Sequence, residues 1–194
     1  MKKFIIAAAV AFTLSVPAFA ADSAIKDLLE SPRGFHASVK VSSFDVSFAD
    51  DSGVMVVGAI GKAAPVKNTD GRIGLEVELG KSVASAEYEY SNRLYGYKVE
   101  ADHMVLGGYA TYDHAMTDTF FLGGRLGFAY ADIDTTVSSY SGGARFSNAD
   151  DGTSVNFAYG LQAGVIVTPM IVVLVGYTSY DVVDRIEAGI QYTF

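Results

Sequence analysis

The stretch EAGIQYTF, residues 187–194, decides how the rest of the chain is read. With Arg185 and Ile186 added, Ile186, Ala188, Ile190, Tyr192 and Phe194 share one parity, and Arg185, Glu187, Gly189, Gln191 and Thr193 share the other. A period of two marks a strand with one apolar face. Frayed polar residues are the usual finding at a chain end, so an aromatic one makes sense only where its apolar face has somewhere to go.

Working back from there, the same alternation recurs in 171–180, 154–167, 119–131, 102–113, 83–90, 72–80 and 34–48, which with 184–194 makes eight segments. Each is near the ten residues that a tilted membrane strand needs. The intervals alternate too. Residues 49–71, 91–101 and 132–153 are long and polar, whereas Gly80–Ser82, His114–Asp118 and Thr168–Met170 are short. Long and short connections in turn predict an up-and-down meander with both termini on the side of the short turns. The stretch VMVVGAIG (54–61) is apolar for an extracellular loop and is expected to extend the first two strands beyond the bilayer.

Charge decides which face points inward. The mixed face of these strands carries Lys40, Arg72, Glu76, Glu78, Glu87, Glu89, Arg125, Arg185 and Glu187. A soluble barrel would turn its apolar face inward. An eight-strand interior has no room for Tyr, Phe and Leu from every strand, so the apolar face must meet lipid. Open edges would leave backbone groups unpaired in hydrocarbon, so the sheet must close. The expected fold is therefore all-β, an eight-stranded antiparallel up-and-down transmembrane β-barrel.

The opening residues agree with export. Lys2 and Lys3 precede an apolar run from Phe4 to about Val16, and Ala18-Phe19-Ala20 offers a small-x-small cleavage site. The expected organisation is a cleaved signal peptide at 1–20, a short periplasmic segment at 21–33 and the barrel at 34–194. In the segment 21–33, Ile25, Leu28 and Leu29 suggest a short amphipathic turn. There is no cysteine, so no disulfide supports the fold. Without Lys2 and Lys3, the fourteen Lys and Arg become twelve against twenty-two Asp and Glu, a formal charge of −10. That balance excludes a nucleic-acid partner.

The segments FLGGRLGFAYADID (121–134), NFAYGLQAGVIVTP (156–169), VGYTSYD (175–181) and EAGIQYTF, with AEYEY (86–90), resemble the OmpA-like and opacity-protein group of small bacterial outer-membrane barrels. The resemblance covers nearly all of the exported chain. It implies residence in the outer membrane, in contact with lipid and lipopolysaccharide. It also implies that Phe194 belongs to the signal read by periplasmic chaperones and the barrel-assembly machinery. Tyr192 and Phe194, with Tyr112 and Phe120 at neighbouring turns, are expected to form an aromatic girdle at the periplasmic rim.

The enclosed charges are expected to form a salt-bridged plug, with a small-solute pore as the alternative if those pairs exchange. A lipid A-modifying enzyme would need a histidine with Ser, Asp or Glu at the outer rim. Of His36, His103 and His114, only His103, beside Asp102, is near that rim, and an inward polar residue accounts for it without chemistry. Asp132 to Asp134 and Asn148 to Asp151 lack the full ligand series of a calcium loop. Glycine-rich strand positions lack the helix that follows a phosphate loop. The chain is read as a non-enzymatic structural or adhesin-like surface protein without a cofactor. Loops one and three are the expected contacts to an extracellular ligand.

Overall fold

The computed structural model describes residues 34–47, 49–91, 95–141 and 144–194. The expected signal peptide and the segment 21–33 lie outside the described residues. Nine strand segments follow in order: β1 (Phe35–Val46), β2 (Gly53–Pro65), β3 (Gly71–Ala84), β4 (Ala86–Ser91), β5 (Tyr95–Ala115), β6 (Phe120–Ser141), β7 (Ala144–Thr168), β8 (Ile171–Tyr180) and β9 (Val183–Thr193). All pair antiparallel. β3 and β4 both pair with β5, from Gly71↔His114 to Lys81↔Met104 and then from Ala86↔Ala101 to Ser91↔Gly96. They form one stave, so the barrel has eight. β1 lies against β9 from His36↔Thr193 to Val46↔Val183, which closes the ring.

The strand count matches the sequence expectation, but two of the staves differ. Residues 53–65, read above as part of a loop, are a full stave between β1 and β3. Gly80–Ser82, read above as a tight turn, lies inside β3. The true turn is Val66–Asp70, where Asn68 takes a positive φ of 61° and the Val66 amide donates to the Gly71 carbonyl at 2.8 Å. The intervals 95–101, 132–141 and 144–153 are also strand, because β5, β6 and β7 run on far past their neighbours. Above the bilayer neither face of a strand needs to be apolar, so 132–141 and 144–153 carry no alternation to read, whereas 95–101 does alternate, with Tyr95, Tyr97, Val99 and Ala101 against Gly96, Lys98 and Glu100.

Why Gly80 is a glycine is a matter of space. A Cβ there would lie 2.8 Å from Cε of Met55 and 3.0 Å from methyl groups of Val57 and Val105. Gly80→Leu is therefore expected to overpack the interior and lower stability by about 1–3 kcal/mol, read from the urea midpoint in lipid vesicles.

Outward positions form an apolar band, with Val39, Ile60, Leu75, Phe128, Val175 and Ile186 exposed. Inward positions fill the barrel in layers. At the end where the described chain enters and leaves is a polar cavity of about 260 Å³ lined by His36, Arg72, Glu76, Asp113 and Gln162 among others. Ionic side chains fill the middle. Towards the far end Phe44, Met55, Val57, Val105, Tyr180 and Val183 pack as a buried apolar cluster. This last layer adds an apolar filling to the salt-bridged plug expected from the enclosed charges. β2 carries apolar residues on both faces because one face meets this cluster, and such a run hides its period of two.

Candidate functional site in the lumen and on the far rim

Alternation on β1, β3, β6 and β9 brings Lys40, Glu76, Glu78, Arg125, Arg185 and Glu187 into one buried layer. The Lys40 ammonium lies 3.0 Å from Glu187, 3.6 Å from Glu78 and 3.7 Å from Glu76. Arg125 spans the lumen, with Nη1 at 3.0 Å from Glu78 and 3.2 Å from Glu76, and Nη2 at 3.2 Å from Glu187. Its Nε donates to the Thr178 hydroxyl at 3.0 Å, and Nη2 donates to the same oxygen. Arg185 Nη2 reaches Glu78 at 2.6 Å and Glu187 at 3.0 Å.

Three carboxylates therefore meet three cations, and the layer is formally neutral. Tyr109 adds a hydroxyl donor to Glu78 at 2.9 Å and a ring face under the Arg125 guanidinium, 4.4 Å from its centroid. Burial of so many charges is tolerable because each ion meets at least two of opposite sign, although Arg185 Nε is left without a hydrogen-bond partner.

Three of the residues grouped with this set from sequence lie elsewhere. Arg72 sits at the mouth of the polar cavity, exposed, rather than in the ionic layer. Glu87 and Glu89 do not enter the lumen at all. Since 72–80 and 83–90 belong to one stave with no turn between them, parity runs through. With Glu76 and Glu78 facing in, Glu87 and Glu89 must face out. Glu87, whose side chain is 40% exposed, pairs with Lys98 at 3.0 Å, and Lys98 reaches Glu100 at 2.8 Å. The hydrogen bonds that the Lys98 ammonium donates to Glu100 and then to Glu87 hold it charged well above the ordinary lysine range. Tyr109 and Thr178 were not singled out from sequence, although each shares the inward parity of its strand.

His103, the histidine nearest the far rim, is buried. Its Nε2 lies 2.7 Å from the Tyr180 hydroxyl and its Nδ1 lies 3.1 Å from the Asp132 carbonyl oxygen. Nδ1–H donates to that carbonyl, so Nε2 accepts from Tyr180. His36 lies in the polar cavity, 3.5 Å from Glu76. The four aromatic residues expected at the rim all lie on the outer surface at the terminal end. Tyr192 and Phe194 meet edge to face at 5.2 Å, and the Phe194 amide donates to the Phe35 carbonyl at 2.9 Å. Tyr112 and Phe120 lie on the same side of the sheet, on β5 and β6.

A closed ring of eight antiparallel staves with an apolar outside and an ion-paired inside has one natural setting. Residues 6–194 match the family model of the outer membrane protein beta-barrel domain. The chain belongs to that family. It resides in the bacterial outer membrane. No curated protein sequence matches the chain.

Among solved structures, a major outer membrane protein from Thermus thermophilus is similar at a TM-score of 0.55 and 10% identity, covering 82% of this chain and 99% of that one. Ail, the attachment invasion locus protein of Yersinia pestis, is similar at 0.49 and 16%, covering 84% and 99%. Neisserial surface protein A is similar at 0.46 and 18%, covering 83% and 97%. At these identities the likeness is one of fold.

In a barrel of this family the tight turns face the periplasm and the longer projections face outward. The far rim is uneven. β8 and β9 end at a two-residue turn in which Asp181 takes a positive φ of 51°. β7 has its last pair with β8 at Ala158↔Tyr180, so residues 144–157 rise past it. Together with β4 and the ends of β5 and β6 they form a tall wall on one side of the mouth.

Proposed function

We propose that this outer-membrane barrel is a non-conducting structural and surface protein whose contacts with the outside are made by its projecting strands. The observation that carries the reading is that two unlike layers fill the lumen in series. A neutral ion-paired layer lies below a dry apolar one. Exchange of the ion pairs alone would still leave Phe44, Met55, Tyr180 and Val183 across the path. The test is single-channel recording of the purified protein in planar bilayers. No discrete openings are expected, and stable large openings would reject the reading in favour of a small-solute pore. That second reading draws support from the polar cavity, which reaches up to Glu76 from the periplasmic side.

The reading is non-enzymatic. What supports it is the enclosure of the His36 and His103 side chains within the barrel. Phe194, 75% exposed, and Tyr192 present aromatic rings at the periplasmic rim, where headgroups and the assembly machinery would both meet them. Phe194→Ser is expected to reduce the assembled, heat-modifiable fraction in the outer membrane several-fold, measured by unheated gel migration of membrane extracts. Equal assembly would remove Phe194 from the signal.

A further inference from the structure

On the inward face of the tall wall stand four tyrosines in mutual contact. Tyr88 and Tyr97 have ring centroids 5.7 Å apart, and Tyr90 lies 5.8 Å from both Tyr95 and Tyr97. The register fixes their side. Ala86 and Ala101 pair and are buried in the lumen, so Tyr88 and Tyr90 on β4, and Tyr97 and Tyr95 on β5, continue the inward parity above it. No lumen remains at that height, because β8, β9, β1 and β2 stop short, and Tyr90 and Tyr95 are 41% and 47% exposed. The connection from β1 to β2 brings two carboxylates to the foot of this array. The amides of Asp50 and Asp51 donate to the Glu87 carbonyl at 3.1 and 2.9 Å, next to Tyr88, and both residues are exposed. Among the described residues of this part of β4 and β5 the basic side chain is Lys98, and it lies on the other face with Glu87 and Glu100.

We propose that this tyrosine face binds an extended cationic peptide segment of an extracellular partner. Tyrosine rings attract Arg and Lys through their electron-rich faces. Asp50 and Asp51 supply complementary charge at one end of the array, and a chain of formal charge −8 draws such a ligand in. A polyanion finds no cation on the described part of this face. The inference rests on the surface-protein reading and gives it a ligand class.

The experiment uses the full barrel in lipid nanodiscs titrated with an eight-residue Arg-Gly repeat peptide. Because the chain contains no tryptophan, tyrosine emission reports binding directly. Saturable binding is expected, weakened about tenfold by the pair Tyr90→Ser and Tyr97→Ser and kept by Tyr90→Phe with Tyr97→Phe. Unheated gel migration confirms that each variant is assembled. Undiminished binding by the serine pair, no binding of the peptide, or saturable binding of a heparin octasaccharide or a neutral maltooligosaccharide at this face instead would overturn the proposal. Labelling of Asp51→Cys in intact cells with a membrane-impermeant maleimide tests the surface reading separately, since the natural chain has no cysteine. A labelled barrel that ignores the peptide rejects the ligand alone, and an unlabelled one rejects surface display itself.

Discussion

Glu78→Ala is expected to destabilise the barrel by about 3–5 kcal/mol, the range found when one member of a buried ion-paired set is removed. Glu78 is the hub of the ionic layer. Its oxygens meet Arg185 at 2.6 Å, Tyr109 at 2.9 Å, Arg125 at 3.0 Å and Lys40 at 3.6 Å. Without it, three cations face two carboxylates in a buried layer capped from above by the apolar cluster. Urea unfolding in phospholipid vesicles, followed by tyrosine emission, measures the loss. Glu89→Ala serves as the contrast, because Glu89 faces out and is exposed, and its midpoint should stay with the natural protein. A loss below about 1 kcal/mol for Glu78→Ala would mean that solvent reaches the layer and screens it.

The second large effect concerns the opposite face of the same strands. Val39, 63% exposed, sits between Gly58 and Ile190 at the middle of the apolar band. Val39→Arg is expected to cost about 2–4 kcal/mol, whereas Ser43→Arg, four residues nearer the far rim on the same outward parity, should cost about 0–1 kcal/mol. The gradient comes from depth in the hydrocarbon. The same vesicle titration reads both variants, and equal costs would show that the band is not the lipid-facing surface.

Much of this fold is legible in the sequence wherever one face of a strand meets lipid and the other meets paired charges. β1 and β9 satisfy that condition, and their residues alternate cleanly. The signal fails in two physical situations. On β2, Met55 and Val57 face the apolar layer while Val54 and Val56 face outward, so both faces are greasy and the run looks like an unusual loop. Above the bilayer, β6 and β7 meet water on both faces, and polar residues on each side conceal their continuation as strands. The misplacement of Glu87 and Glu89 follows from the first failure. Once 53–65 is missed, an eighth strand must be found, and dividing 71–91 at Gly80 supplies it while losing the parity that carries through. The ionic layer was mostly readable because its six members lie on strands whose parity was assigned correctly. Tyr109 and Thr178 were hidden because a tyrosine and a threonine suit either side of a membrane strand.

The seam where β1 meets β9 joins the beginning and the end of the barrel, and Lys40 on one side of it holds Glu187 on the other, 147 positions later. The ninth strand therefore brings Lys40 its nearest carboxylate, and with it Arg185, which reaches Glu78 at 2.6 Å. Closing the ring and completing the ionic layer are one event, so a polypeptide cut before β9 would lose Arg185 and Glu187 together and keep a half-built ionic layer as well as an open flank. Quality control could sense either defect.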